Sequence, residues 1–243
     1  MIDQAVILAA GKGTRLRGSD DLAPPKPLMV VDGVALIKRT IMTLAEAGIR
    51  RVVVVTGFMA DQVRGTLVDD PSYATKGVRL EFAHNADYQL ANGISVMVGG
   101  NVAGGNFVLS MADHIYTANV ARLVAASDMQ AADLYLATDP RTHDILDIDD
   151  ATKVRSDNGH IVEIGKQLTA FDRIDCGVFA VGRRLLEALS EVRAERGDCS
   201  LTDGVRKLAS RGRACVVDIG NEVWQDVDTP ADRDHYERTL AKR

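Results

Sequence analysis

The sequence predicts an α/β fold built on a mostly parallel sheet, and three observations predict it. Apolar, strand-like runs alternate with amphipathic stretches through the first half, as βαβ units require. The first of these runs passes straight into a glycine-containing loop, at the strand end where open α/β sheets place their ligands. With 243 residues, 46% of them hydrophobic, the chain is long enough for one large core, and 1–243 is expected to form a single domain.

Taken in order, Ala5–Leu8 is a first strand, Leu36–Ala47 a helix closed by Gly48, and Arg51–Thr56 a second strand that stops at Gly57. Ala60–Val68 reads as a helix, Val78–Ala83 as a strand, Phe107–Met111 as a strand and Val120–Ala126 as the helix after it. The polar stretch from His84 to Ser95 reads as a loop leading into the apolar segment Val96–Val98. Asp133–Thr138 continues the sheet. Between Ile145 and Ile164 the segments shorten around Asp157-Asn158-Gly159, which predicts a hairpin. Cys176–Val181 is a strand, Arg184–Arg196 and Leu201–Ser210 are helices, and Ala214–Ile219 returns to strand. Pro230 opens the last helix at no hydrogen-bond cost, with Thr229 as its cap.

Composition narrows the function. A formal charge of −5 without a dominant Lys/Arg cluster argues against a nucleic-acid surface. Cys176, Cys199 and Cys215 form no CxxC pair and read as reduced thiols, and no apolar run reaches membrane-spanning length, so a soluble cytoplasmic protein is expected. The histidines His84, His114, His143, His160 and His235 lack the spacing of a zinc site.

The strongest local signal is Leu8-Ala9-Ala10-Gly11-Lys12-Gly13-Thr14-Arg15-Leu16. Small residues let backbone N–H groups approach phosphate oxygens, and Lys12 and Arg15 offset their charge. The loop lacks the Gly-Lys-Ser/Thr ending of a P-loop and the third glycine of a dinucleotide fingerprint, so another phosphate-binding family is required. Lys26, inside Pro24-Pro25-Lys26-Pro27-Leu28, is a stiffly mounted cation suited to charge stabilisation at a transferring phosphoryl group.

The pair Leu-Ala-Ala-Gly-x-Gly-Thr-Arg-Leu and Pro-Lys-Pro-Leu resembles the opening of the NTP-transferase family, the nucleoside-diphosphate-sugar pyrophosphorylases and related cytidylyltransferases. The resemblance runs along essentially the whole chain. It implies a Rossmann-like mixed, mostly parallel sheet flanked by helices, with a small β-rich insertion on the acceptor side. It also implies Mg²⁺ as cofactor, Arg15 and Lys26 as catalytic cations, and Leu8 to Thr14 as the nucleotide loop. Asp113, after the strand Phe107–Met111, is implied as the first metal carboxylate. Trp224-Gln225-Asp226-Val227-Asp228-Thr229-Pro230 resembles the segment that supplies the second, with Asp228 first and Asp226 beside it, since alternation along an extended segment puts both on one side.

Asn85 and Asn92-Gly93-x-Ser95 resemble the nucleobase region of the cytidylyltransferases. Met111-Ala112-Asp113-His114-Ile115 resembles the Asp-His-Ile segment of inositol-1-phosphate cytidylyltransferases, and Lys166 and Asp175 match family elements near the acceptor, so His114, Lys166 and Asp175 are implied acceptor ligands. The expected reaction is transfer of CMP from CTP to a small phosphorylated or phosphonate acceptor, inositol 1-phosphate favoured, with release of pyrophosphate. Phosphocholine and 2-aminoethylphosphonate stay open as acceptors, as do UTP, GTP or dTTP with a sugar 1-phosphate, and a non-catalytic nucleotide sensor is the remaining reading. No nucleic acid and no membrane span are expected, and the sequence leaves a homodimer open.

Overall fold

The computed structural model describes residues 1–17, 23–68, 70, 72–143, 145 and 147–240. The chain begins with strand β1 (Gln4–Ala9), the one-turn helix α1 (Thr14–Arg17), a 3-10 turn at Lys26–Leu28 and the two short strands β2 (Val30–Val31) and β3 (Val34–Ala35). It continues through α2 (Leu36–Glu46), β4 (Arg51–Thr56), α3 (Ala60–Val68), α4 (Ser72–Thr75), β5 (Arg79–His84), α5 (Gly93–Ala103), β6 (Phe107–Met111), β7 (His114–Tyr116) and α6 (Ala118–Ala125). The second half holds β8 (Leu134–Asp139), β9 (Lys153–Asp157), β10 (His160–Gly165), β11 (Arg173–Val181), α7 (Arg183–Arg196), α8 (Leu201–Ala209), β12 (Ala214–Asp218), β13 (Trp224–Asp226) and α9 (Pro230–His235).

One mixed sheet organises the molecule, in the order β5-β4-β1-β6-β11-β8-β12-β10-β9. β5, β4, β1 and β6 are parallel, β11 runs antiparallel to both β6 and β8, and β12 is parallel to β8. β9 also pairs with β11, so β11, β8, β12, β10 and β9 close into a ring. Within this ring β9 and β10 form the hairpin expected in the 145–164 segment, and it turns where predicted, with Asn158 and Gly159 both at positive φ.

Alternation along β1 builds a three-layer core. Ala5 and Ile7 face Ile37, Ile41 and Leu44 of α2, while Val6 and Leu8 face Ile94 and Val96 of α5. Ile37, Ile41 and Leu44 are fully buried; burying an aliphatic side chain of this size contributes about 1.5–3 kcal/mol.

The segment after Ser95 departs from expectation: Gly93–Ala103 is a helix. It is buried along both flanks, so its residues lack the polar face that makes an amphipathic period visible. Gly99 is required for the packing, because a β-carbon there would lie 2.5 Å from Val6 and 2.6 Å from Val55.

The chain order reverses at β1, which has β4 on one side and β6 on the other. The crevice at the carboxyl ends of β1 and β6 is therefore a topological switch point. The β7–β13 ribbon, with Asp226 opposite His114, delivers the C-terminal aspartates to the same place.

Candidate functional site

Two cavities adjoin at this switch point. The first, about 330 Å³, is lined by Leu8 to Gly11, Gly13 to Arg15, Lys26, Asn92, Ser95, Asp113 and Asp228. The second, about 280 Å³, is lined by Arg15, Asp113, His114, Lys166, Asp175, Asp226 and Asp228. Arg15, Asn92, Met111, Asp113 and Asp228 border both.

Lys26 lines the first cavity beside that shared wall. Its backbone is fixed by the 3-10 turn, in which Leu28 donates its N–H to the Pro25 carbonyl at 2.8 Å. Lys26 is 8% exposed, and its ammonium donates to Asp113 Oδ2 at 2.5 Å and to Asp228 Oδ1. Burial disfavours the charge, but the two carboxylates outweigh it and hold the Lys26 pKa above its ordinary value. Asp113 Oδ1 bonds His114 Nδ1 at 2.8 Å. The fields of Lys26 and His114 overcome burial and keep the Asp113 carboxyl well below the usual carboxylate range. His114 moves up for the reciprocal reason: burial works against its charge, and the bond to Asp113 prevails.

Arg15 extends the network into the second cavity. It donates to Asp228 Oδ2 at 2.7 Å and to Asp150 Oδ2 at 2.6 Å, and Asp150 Oδ1 accepts from Lys166 Nζ at 2.7 Å. The His114 ring stacks on Trp224 at 6.2 Å and lies against Gly177, where a β-carbon would be 2.3 Å from His114 Cδ2. The Gly177 N–H donates to Asp175 Oδ1 at 2.7 Å; burial nevertheless pushes the Asp175 carboxyl up to about 6, and burial also raises Asp226.

The structure brings together most of the residues singled out in the sequence. Three of them, Lys12, Asn85 and Gly93, do not line either cavity. Lys12 is exposed and lines neither cavity. Asn85, 2% exposed, donates to Ser95 Oγ at 2.9 Å and so orients that hydroxyl at the first cavity. Gly93 packs against the loop before α8, where a β-carbon would lie 2.5 Å from the Cys199 carbonyl, while Asn92 Oδ1 accepts the Leu201 N–H at 2.8 Å. Sequence reasoning missed Asp150, Trp224 and Tyr88. Tyr88 borders the first cavity and is packed so tightly on Gly57 that a β-carbon there would lie 2.5 Å from Tyr88 Cβ.

The donor set fits a small hard cation. Asp113 Oδ2 and Asp228 Oδ1 already converge on one cationic atom, the Lys26 nitrogen. Among the described residues no cluster of three or more His, Cys, Asp or Glu forms a metal cage. Two carboxylates are the contribution expected where substrate phosphates and waters complete an octahedron. No helix among the described residues is long and apolar enough to cross a membrane.

Comparison with known proteins places the chain. The family described as MobA-like NTP transferase domain matches residues 5–211. The chain is 35% identical over 231 residues to the "Bifunctional IPC transferase and DIPP synthase" of Rubrobacter xylanophilus, covering 94% of this chain and 50% of that protein. Identity to the protein of the same name from Archaeoglobus fulgidus is 34% over 237 residues, covering 98% and 44%. The chain thus spans about half the length of these curated relatives. Among solved structures it is similar to the inositol-1-phosphate CTP transferase from T. maritima, with a TM-score of 0.82 and 28% identity over 95% of this chain and 91% of that one. A putative glucose-1-phosphate thymidylyltransferase from Bacillus anthracis, at 17% identity and a TM-score of 0.81 over 97% of this chain and 94% of that one, shares the fold.

Proposed function

The chain belongs to the MobA-like NTP transferase family, and from that premise we propose that it is a magnesium-dependent cytidylyltransferase, transferring CMP from CTP to inositol 1-phosphate with release of pyrophosphate. One observation carries this reading: Arg15, Asp113 and Asp228 stand on the wall shared by the two cavities, and Lys26, which lines the first, bonds both aspartates. A nucleotide in the first cavity and a phosphorylated acceptor in the second meet across that wall. The T. maritima protein is named for inositol 1-phosphate and CTP, which favours this substrate pair.

The glycine loop receives the triphosphate through its backbone N–H groups. An acceptor phosphate oxygen attacks the α-phosphorus, the bond from that phosphorus to the α–β bridging oxygen breaks, and pyrophosphate leaves with the electron pair. A phosphate monoester has a second pKa of about 6 and is mostly dianionic at neutral pH, so no side-chain base is needed. Lys26 and Arg15 stabilise the negative charge that accumulates, and the remaining work is positioning. Asp113 and Asp228 are the residues that would hold Mg²⁺, which when bound would supply positive charge to offset that of the phosphates.

The second cavity offers hydrogen-bonding groups suited to a polyol: the Asp175 and Asp226 carboxylates, with the Lys166 ammonium for the phosphate. The test is pyrophosphate release in a grid of ATP, CTP, GTP, UTP and dTTP against inositol 1-phosphate, phosphocholine, 2-aminoethylphosphonate and glucose 1-phosphate. Activity confined to CTP with inositol 1-phosphate is expected. Activity in another row or column replaces that substrate, and silence throughout favours a nucleotide sensor.

A further inference from the structure

Between the two cations of the acceptor cavity stands a carboxylate that the glycine loop and the strand-end aspartates do not account for. Asp150 divides its oxygens between them, accepting from Arg15 Nη1 at 2.6 Å and from Lys166 Nζ at 2.7 Å. The two cations come from opposite ends of the site, Arg15 from α1 behind the glycine loop and Lys166 from the end of β10.

Asp150 is itself held in place. Its backbone N–H donates to Asp147 Oδ1 at 3.2 Å, and the Ala151 N–H donates to the Asp147 carbonyl at 3.1 Å. Lys153, only 7% exposed, donates its ammonium to the Lys166 carbonyl at 2.7 Å and to the carbonyls of Ala151 and Asp149 at 3.4 and 3.5 Å. A buried ammonium thus rivets the turn that carries Asp150 to the backbone that carries Lys166. A turn fixed in this way supplies a constant reference point for two flexible side chains that are 54% and 47% exposed.

We propose that Asp150 is a positioning residue that holds Arg15 and Lys166 as a matched cation pair facing the acceptor phosphate. This rests on the reading of the second cavity as the acceptor site. Two like charges on long side chains repel one another and spread over many rotamers. A carboxylate between them offsets the repulsion and fixes both directions, while Lys166 keeps two ammonium donors and Arg15 keeps further N–H groups for a ligand. The arrangement orders the pair before the acceptor arrives.

The experiment compares wild type with Asp150→Ala and Asp150→Glu in two assays. In the first, pyrophosphate release with CTP and Mg²⁺ is followed as inositol 1-phosphate is varied; in the second, inorganic phosphate is titrated into the protein by calorimetry. For Asp150→Ala the acceptor KM is expected to rise by roughly tenfold, with a smaller change in CTP KM, and phosphate affinity to fall. The thermal midpoint should barely move, since exposed ion pairs contribute little to stability. Asp150→Glu, which restores the carboxylate, should recover part of the loss. Acceptor KM and phosphate affinity equal to or better than wild type in Asp150→Ala overturn the proposal, as that result makes Asp150 a bystander or a competitor of the phosphate. Wild type that fails to bind phosphate overturns it as well. Wild type that binds phosphate but turns over no acceptor instead removes the proposed reaction, and the loss of phosphate affinity in Asp150→Ala still supports the positioning role.

Discussion

Gly13 and Lys26 are interlocked: a β-carbon on Gly13 would lie 2.3 Å from Lys26 Cβ, and Gly13 has a φ of +61°. The glycine loop and the Pro-Lys-Pro turn are therefore one packed unit, and this contact is a physical reason for the two motifs to occur together. Gly13→Ala should fold with a slightly lower thermal midpoint, since an L-residue at positive φ costs about 1–2 kcal/mol. Its turnover should fall nearly as far as when Lys26 is removed. Wild-type turnover in this variant would show that Lys26 does not need its present seat.

Lys26→Met should cut turnover about a hundredfold, equivalent to losing a preorganised charge contact of about 3 kcal/mol. It also leaves Asp113 and Asp228 facing each other without the ammonium that joins them. The metal-free variant should melt lower than wild type, and added Mg²⁺ should raise its thermal midpoint by more than it raises that of wild type. Melting curves with and without Mg²⁺ check this, and equal increments would contradict the shared-cation geometry.

Asp113→Ala and Asp228→Ala should each abolish Mg²⁺-dependent pyrophosphate release while the far-UV circular dichroism stays native. Asp226 lies opposite His114 in the β7–β13 ribbon and borders only the second cavity. Asp226→Ala should therefore retain the Mg²⁺ response and raise the acceptor KM. Full activity in Asp113→Ala, or complete loss of the Mg²⁺ response in Asp226→Ala, would move the metal.

Asp175 predicts a pH dependence with a definite sign. Burial lifts its carboxyl from 3.8 to about 6 in the folded protein. A carboxyl raised on folding stabilises the native state fully below its unfolded pKa, and that contribution is lost as pH rises through the folded value. At neutral pH the ionised side chain costs up to about 3 kcal/mol by this reckoning. Asp175→Asn keeps an oxygen for the Gly177 N–H and should melt higher than wild type at pH 7.5, with the advantage vanishing below about pH 4. Its acceptor KM should rise. A variant that melts lower than wild type at pH 7.5 would contradict the burial argument.

How much was legible follows from how local each signal is. The glycine loop, Lys26 and Asp113 are read from contiguous stretches, and the structure brings them together in one cluster. The helix at Gly93–Ala103 was not legible, because Gly99 and Gly100 lower helix propensity and burial on both flanks removes the polar face. The β7–β13 ribbon is too short for alternation to show, so the proximity of Asp226 to His114 became visible only in three dimensions. Asp150 reads as part of an acidic turn with Asp147 and Asp149; its partners Arg15 and Lys166 are 135 and 16 residues away, and no local pattern marks that relationship.

The central claim is a transfer reaction between two named substrates, and ³¹P NMR of the protein with CTP, inositol 1-phosphate and Mg²⁺ tests it most directly. The account predicts that the CTP resonances decay while inorganic pyrophosphate and a coupled pair of diphosphodiester doublets appear together in equal amounts. CTP and inositol 1-phosphate signals that persist unchanged, or CTP that decays with no diphosphodiester formed, would contradict it.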